Sequence, residues 1–187
     1  MVKKKFRLSH SLLNLWASGE TDRAIETYFR INQSQDPKMM EGRRLHEEWA
    51  TKINKDKTLT LGLTTLTFTA PITEFGGNGE LNKPYNDLWD IGGRFDCIDS
   101  PVLYEFKSGV KNGLDYAGEY QLPFYFLLAE LAEIKIERAI LLHYNQYLHK
   151  SDLVIVHNSR EQVNKARNWV DSLAPDIFKY FTDTGLI

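Results

Sequence analysis

Residues 102–109, VLYEFKSG, place a carboxylate and an ammonium group two positions apart in an otherwise apolar segment. The composition predicts a buried strand, in which successive side chains point to opposite faces. Glu105 and Lys107 therefore share one face, while Tyr104 and Phe106 occupy the other. Such a pair is commonly a solvated surface ion pair, so the two charges are open to a structural as well as a catalytic reading.

A second strand pattern, DLWDIGGRFDCI (87–98), precedes this segment, and Asp99, Ser100 and Pro101 between them are typical of a tight turn. We predict an antiparallel hairpin that places Asp96 beside the two charges. Asp96 and Glu105 could hold one or two divalent cations through oxygen ligands. A water between the metal and Lys107 could then attack a phosphodiester, with the lysine acting as a cation or, where the metal lowers its pKa, as a base.

The first half of the chain predicts helices followed by a strand. Ser9 or Ser11 is positioned to cap a first helix, Thr21 to cap a second that runs to about residue 30, and apolar spacing predicts a third over 42–53. Thr alternates with Leu and Phe in TLTLGLTTLTFTAPI (58–72), which predicts one half-buried strand ending near Pro71. EFGGNGELNKPYN (74–86) predicts a loop.

The second half predicts a long helix over 113–134, with Pro123 as a misfit that kinks it. RAILLHYN and DLVIVHN predict two further strands, and an amphipathic helix over 160–173 and a short helix over 177–181 end the chain. The order of helices, sheet, helix, sheet and helix predicts an α/β fold with a layered core. A length of 187 residues is most simply one domain, residues 1–187.

Cys97 is the only cysteine, which excludes an intramolecular disulfide, a thiolate-rich zinc site and a cysteine-held iron–sulfur cluster. A lone cysteine suits a reducing compartment, and no segment is long and apolar enough to span a bilayer. We therefore expect a cytoplasmic protein without a membrane partner. The net charge of −2 neither favours nor excludes nucleic acid, and basic residues at 3–7 and 43–44 leave local patches open.

Five short motifs follow one another in an order that resembles the PD-(D/E)XK nuclease superfamily, most closely its RecB-type branch. They are a Ser-rich helix opening, Gly-x-x-x-His, Gly-x-x-Asp, acidic-x-Lys and Gln-x-x-x-Tyr. In this chain they read LSHSLLNLW (8–16), GRRLH (42–46), GRFD (93–96), EFK (105–107) and QLPFY (121–125). The resemblance spans roughly residues 8–130.

The resemblance implies a restriction-endonuclease-like core, a central mixed sheet flanked by helices, with the metal site at the edge of the sheet. It implies that the metal is held by His46, Asp96, Glu105 and the backbone carbonyl of Phe106. It makes Lys107 the catalytic lysine, beside catalytic roles for Asp96 and Glu105. Gln121 and Tyr125, four apart on one helix face, would contact the substrate strand or orient the site.

Taken alone, a helix histidine such as His46 is more often a half-buried packing residue than a metal ligand. Gln121 and Tyr125 are equally compatible with a polar edge and an aromatic core position of an amphipathic helix. Oxygen ligands favour Mg²⁺, with Mn²⁺ as a substitute.

Many RecB-type relatives also hold an iron–sulfur cluster through four cysteines that join the N- and C-terminal segments. This chain has no such set, so we expect no iron–sulfur cluster and termini that are joined by packing alone.

The expected activity is metal-dependent hydrolysis of DNA, as an exonuclease in phage or bacterial DNA processing. No nucleotide-binding loop occurs in the sequence, so any unwinding of the DNA would come from a partner helicase. The alternative is a non-catalytic module that binds nucleic acid or acts as a scaffold and keeps a nuclease-like fold.

Overall fold

The computed structural model of the protein describes residues 5–31, 37–73, 80–109 and 113–187. Helices and strands alternate along these segments. The helices are α1 (His10–Ala17), α2 (Thr21–Phe29), α3 (Pro37–Asp56), α4 (Gly113–Ala117), α5 (Gln121–Leu131) and α6 (Arg160–Asp183). The strands are β1 (Phe6–Ser9), β2 (Thr58–Leu61), β3 (Thr64–Thr67), β4 (Ile72–Thr73), β5 (Glu80–Pro84), β6 (Trp89–Arg94), β7 (Cys97–Asp99), β8 (Val102–Ser108), β9 (Arg138–Asn145) and β10 (Lys150–His157).

The larger sheet has five strands in the order β10-β9-β8-β7-β4. β8 runs parallel to β9, and the other neighbours are antiparallel, so the sheet is mixed. Apolar side chains of β8 alternate between two cores. Tyr104 and Phe106 belong to the core that contains Trp49 of α3, and Leu103 belongs to the core on the other face, which contains the buried residues of α5. Helices thus flank the sheet, which confirms the predicted α/β fold with a central mixed sheet.

A smaller sheet, in the order β1-β6-β5, continues from the larger one. β1 pairs with β6 in parallel and β5 pairs with it antiparallel. β6 and β7 are consecutive parts of one passage of the chain, and the break between them consists of Phe95 and Asp96. Asp96 therefore lies where the chain leaves one sheet and enters the other.

Aromatic side chains join the beginning of the described chain to its end. Phe181, near the end of α6, is fully buried. Its ring lies 5.1 Å from that of Phe6 in β1 and 5.0 Å from that of Tyr28 in α2, and the latter two rings are stacked at 4.6 Å. Aromatic pairs of this kind add to the free energy gained by burial. Packing therefore connects the terminal segments, as the sequence predicted.

Several sequence predictions are confirmed. β7 and β8 form the antiparallel hairpin around 99–101, and β9 and β10 occupy the two predicted strand segments. The Oγ of Ser9 accepts a hydrogen bond from the backbone N–H of Leu12, which makes Ser9 the N-cap of α1. Within the described residues, no helix is both long enough and apolar enough to cross a bilayer.

Three predictions for the first half were wrong. Residues 58–67 form the hairpin β2–β3 rather than one strand, because Gly62 adopts a left-handed conformation with φ 58° and reverses the chain. The N-cap of α2 is Glu20, not Thr21, and it makes no side-chain capping bond. Part of the predicted loop, residues 80–84, is the edge strand β5, while the rest of it, 74–79, lies outside the described residues.

Two predictions for the second half were also wrong. The helix expected over 113–134 is divided into α4 and α5 by residues 118–120. Pro123 causes no kink, since it stands in the first turn of α5, where a backbone N–H has no partner within the helix. The helix expected to end at 173 continues as α6 to Asp183 and includes Pro175.

Candidate active site

The carboxylate of Asp96 is fixed between β8 and α3. Its Oδ2 accepts a hydrogen bond from the backbone N–H of Phe106 at 2.7 Å. Its Oδ1 accepts one from Nδ1 of His46 at 3.2 Å. Both contacts depend on the break between β6 and β7, which frees Asp96 from regular strand pairing and turns it toward the neighbouring strand and helix.

Glu105 lies on β8 with only 2% of its surface exposed. Its Oε1 accepts from Nζ of Lys107 at 2.7 Å and from Nε2 of Gln121 at 2.7 Å. Its Oε2 is buried and has no hydrogen-bond partner among the described residues. Most buried polar atoms are hydrogen-bonded, and an unsatisfied charged oxygen is costly, so Oε2 marks a position that the fold leaves incomplete.

Gln121, the first residue of α5, connects the charged residues. Its Oε1 accepts from Nζ of Lys107 at 2.7 Å, while its Nε2 donates to Glu105 and, at 3.1 Å, to the hydroxyl of Tyr125. An amide is suited to this position because it can accept from a cation and donate to a carboxylate at the same time. Gln121 therefore bridges Glu105 and Lys107, which also contact each other directly.

Tyr125 is held from behind by the Gly-x-x-Asp segment. Its ring packs at 4.9 Å on that of Phe95, which immediately precedes Asp96. A Cβ atom at Gly93 would lie 3.2 Å from the Tyr125 ring and 3.3 Å from Leu128. The glycine thus lets strand β6 approach α5 closely, and this approach brings Gln121 and Asp96 to the same end of the sheet.

The two buried carboxylates have opposite pKa shifts. Burial, and then the charge of Asp96, raise the pKa of Glu105 from its ordinary value of 4.5 to about 7. Burial also opposes ionisation of Asp96, but attraction and hydrogen bonding from His46, together with the charge of Lys107, hold its pKa below the ordinary value. Burial acts against the charge of Lys107, yet Glu105 and Asp96 keep its pKa raised. Asp96 and Lys107 are therefore charged at neutral pH, whereas Glu105 gains or loses its proton near pH 7.

His46 is positioned by α3, whose Gly42 faces β8. A Cβ at Gly42 would lie 3.6 Å from Oγ of Ser108, an ordinary contact distance, and the His46 ring stacks at 5.3 Å on that of Trp49. Among the residues that the structure describes, no three His, Cys, Asp or Glu side chains are grouped closely enough to hold a metal ion by themselves. The predicted ligands are neighbours, but their side chains do not form a ready-made three-ligand cluster.

Two neighbours of the site were not predicted to belong to it. Burial, and then the charge of Lys107, lower the pKa of His10 to about 4, and its buried Nε2 has no hydrogen-bond partner in the part of the chain that the structure describes. The ring of Tyr116 in α4 lies 5.7 Å from Nζ of Lys107. His10 directly follows the capping Ser9, so the Ser-rich helix opening was the signal that could have identified it.

The structure brings all of the predicted site residues to one end of the central sheet. They form two hydrogen-bonded groups that meet at consecutive residues of β8. The members are His46, Asp96 and Phe106 in one group and Glu105, Lys107, Gln121 and Tyr125 in the other.

Neither a family model nor a curated protein sequence matches this chain. Solved structures do. Alkaline exonuclease LHK-Exo from Laribacter hongkongensis has a TM-score of 0.54 and 8% identity over 96% of this chain and 93% of that one. Its complex with dAMP has a TM-score of 0.55 and 9% identity over the same shares of the two chains. The structure of SSO0001 has a TM-score of 0.58 and 18% identity over 96% of this chain and 79% of that one. At these identities the likeness shows the fold: the chain has a nuclease-like α/β fold that it shares with an alkaline exonuclease.

Proposed function

We propose that the protein is a metal-dependent nuclease of the PD-(D/E)XK superfamily, of the RecB type, which hydrolyses phosphodiester bonds in DNA. The observation that carries this proposal is the buried, unpartnered Oε2 of Glu105, on a carboxylate that also binds Lys107 and is repelled by Asp96. A surface ion pair would not be buried or leave an oxygen unsatisfied. The nuclease-like fold supports the same function.

The donor set fits a hard divalent cation such as Mg²⁺, with Mn²⁺ as a substitute. Asp96 and Glu105 would supply carboxylate oxygens, the Phe106 carbonyl a neutral oxygen, and His46 a ring nitrogen. The unsatisfied Oε2 offers a lone pair, and the repulsion between the carboxylates is of the kind that a bound cation relieves. When bound, the cation supplies Lewis-acid polarisation of the phosphate and activation of a water.

The protein's own groups prepare the reaction. Lys107 keeps its positive charge beside Glu105 and Asp96, so that it can neutralise negative charge that develops on the phosphate. Gln121 holds Nζ of Lys107 at 2.7 Å and restricts the positions that the ammonium can take. Tyr125 fixes the amide of Gln121, which makes it a positioning residue rather than one that meets the substrate.

The mode of action that we propose is exonucleolytic, in phage or bacterial DNA processing in the cytoplasm, with strand separation left to a partner helicase. We choose this mode over an internal cut by analogy with the alkaline exonuclease that has a similar fold. The mode makes a definite prediction: linear DNA should be degraded from its ends, and closed circular DNA should survive.

The test is cleavage of end-labelled linear DNA and of closed circular DNA, each single- and double-stranded, with Mg²⁺ or Mn²⁺. Wild type is compared with Lys107→Ala. Lys135→Ala is the matched control, because Lys135 also pairs with a glutamate two residues away, Glu137 at 2.8 Å, but both side chains are more than half exposed. We expect loss of cleavage only for Lys107→Ala, and thermal melting should show that both variants fold.

Equal cleavage by wild type and Lys107→Ala would contradict the role of the lysine. Failure of wild type to cleave any of these substrates, with unchanged melting when metal is added, would contradict the function and favour a binding or scaffolding module. Cleavage of closed circular DNA would contradict only the exonucleolytic mode.

A further inference from the structure

The outer face of the smaller sheet carries a group of arginines around one carboxylate. Glu80 of β5 contacts Arg7 of β1 at 2.6 Å, Arg94 of β6 at 3.2 Å and Arg30, which follows α2, at 3.4 Å. These four residues come from separate parts of the chain, and only the fold brings them together. We call them the Glu80 cluster. One glutamate cannot balance three guanidinium groups, so the cluster keeps an excess of positive charge.

Asp90, an acidic residue on the same face, does not remove this excess. Asp90 is the register partner of Arg7 in the β1–β6 pair, but its Oδ2 accepts from Nδ2 of Asn82 at 3.1 Å. Within the described segments, the buried Oδ1 of Asp90 and the buried Nε of Arg7 have no hydrogen-bond partner. Even when Asp90 is counted with Glu80, three positive charges face two negative ones.

Gly92 allows Arg7 to lie flat across strand β6. A Cβ atom at this position would approach Nε of Arg7 to 2.4 Å and Nη2 to 2.8 Å. These distances are far shorter than any ordinary contact, so any larger residue would push the guanidinium away. Gly92 therefore leaves room for the Arg7 guanidinium in the Glu80 cluster, just as Gly93 leaves room for the Tyr125 ring.

The Glu80 cluster is continuous with the candidate active site. Arg94 is two residues before Asp96, and the Phe95 between them is fully buried against Tyr125. Arg94 is the last residue of β6, and Asp96 stands in the break that follows it. Two residues of chain span at most roughly 7 Å, so a strand of nucleic acid that reaches Asp96 comes close to Arg94.

We propose that the Glu80 cluster binds a backbone phosphate of the DNA strand whose neighbouring phosphodiester lies at Asp96 and Glu105, and that Glu80 occupies the place of this phosphate in the free protein. Guanidinium groups bind phosphate and carboxylate in the same planar, two-pronged geometry, so one anion can replace the other. The inference rests on the proposed nuclease function and adds the residues that position the substrate strand.

The test is a binding measurement that does not depend on cleavage. A dye-labelled single-stranded oligonucleotide and its duplex are titrated with protein in EDTA, and anisotropy is recorded between about 50 and 200 mM salt. Arg30→Ala and Arg94→Ala should each weaken binding about three- to tenfold and lower the slope of log affinity against log salt by about one. Both side chains are at least half exposed, so these variants should fold.

Glu80→Gln distinguishes a phosphate site from a structural ion pair. Removal of the competing carboxylate should tighten DNA binding several-fold, whereas a purely structural glutamate would leave the affinity unchanged or lower it. Arg167→Ala is the matched control: Arg167 is also a partly exposed arginine that pairs with a glutamate, Glu130 at 3.0 Å, but it lies on α6. Its affinity and salt slope should equal those of wild type.

The outcomes separate this inference from the proposed function. Normal cleavage by wild type, with affinities unchanged in the Arg30, Arg94 and Glu80 variants, overturns the phosphate site and leaves the nuclease function intact. The expected changes in affinity without any cleavage by wild type support the site and contradict the nuclease. If wild type binds no DNA in EDTA at any salt concentration, the inference is overturned.

Discussion

Replacing Glu105 with glutamine should make the protein increasingly more stable, relative to wild type, as the pH rises. The substitution keeps the size of the side chain and an oxygen that can accept from Lys107 and Gln121. It removes the charge that burial and Asp96 both disfavour. The new amide nitrogen would replace the unpartnered Oε2 and cost about 1–3 kcal/mol as an unsatisfied donor at every pH.

The magnitude follows from the shifted pKa of Glu105. The folded chain holds the proton up to about pH 7, while the unfolded chain releases it near 4.5. Between these values the folded state binds more protons, so the free energy of unfolding of wild type falls as the pH rises. A pKa unit corresponds to about 1.4 kcal/mol, which makes the whole shift worth roughly 3 kcal/mol, of which about 2–3 kcal/mol falls between about pH 5 and pH 8.

Urea unfolding in EDTA at these two pH values measures the effect. The difference in free energy of unfolding between Glu105→Gln and wild type should move by about 2–3 kcal/mol in favour of the variant from the lower to the higher pH. The cost of the new amide is the same at both values and cancels. Glu130→Gln, at a side chain that is 55% exposed, serves as the control and should show no such movement. A difference that is constant with pH, or that moves in favour of wild type, would refute the reasoning.

Three further outcomes are expected. Mg²⁺ or Mn²⁺ should raise the melting temperature of wild type but not of Asp96→Asn, and an equal rise in both would argue against Asp96 as a ligand. Gly92→Ala should lower the free energy of unfolding by at most about 1 kcal/mol in urea titration, because its Cβ would displace the ends of the flexible Arg7 and Asn82 side chains and weaken a surface ion pair. Gly118→Ala, whose Cβ would lie 3.7 Å from the Asp115 carbonyl oxygen, should change this free energy little; a loss of several kcal/mol at Gly92 would contradict this reasoning. Phe181→Ala should lower the free energy of unfolding by about 3–5 kcal/mol, because the Phe181 ring is fully buried. Leu114→Ala, at a residue that is 72% exposed, should leave this free energy close to that of wild type. A small loss for Phe181→Ala would mean that other contacts hold the terminal segments.

Local patterns were sufficient to predict the elements that neighbour one another in sequence. The β7–β8 hairpin follows from two apolar runs and a three-residue turn, and β9 and β10 from their β-branched residues. β1 escaped prediction because its partner, β6, is distant in sequence, whereas β5 pairs with the strand that directly follows it but does not have the composition of a strand. β1 has only four residues, and β5 reads ELNKP, which is polar and ends in proline, a composition typical of loops and of edge strands.

The candidate site was predictable in membership but not in contacts. The spacing of the motifs and the hairpin were enough to place Asp96 beside Glu105 and Lys107. The amide of Gln121 and the unpartnered Oε2 depend on how α5 packs across the sheet, which no local pattern encodes. The Glu80 cluster could not be predicted, because it depends on the pairing of β1 and β5 with β6, and neither strand was predicted from the sequence.

The buried side-chain atoms without partners are concentrated along one part of the fold. In the described residues they lie on β1, on the first residue of α1, on β6 and on β8: Arg7 Nε, His10 Nε2, Trp89 Nε1, Asp90 Oδ1 and Glu105 Oε2. Folded proteins normally satisfy such atoms, and a buried charged group is often replaceable by an apolar one with a gain in stability. A sequence selected for stability alone would not keep them together.

The candidate active site and the Glu80 cluster carry unbalanced charges of opposite sign. Asp96 and Glu105 favour a bound cation, whereas the three arginines around Glu80 favour a bound anion. A phosphodiester that carries a divalent cation presents both charges at once, a cation at the scissile phosphate and an anion at the next. Departures from full polar satisfaction are expected where a ligand completes the network. The same ligand would therefore balance the charge of both groups, which is why we assign the candidate active site and the Glu80 cluster to one substrate strand.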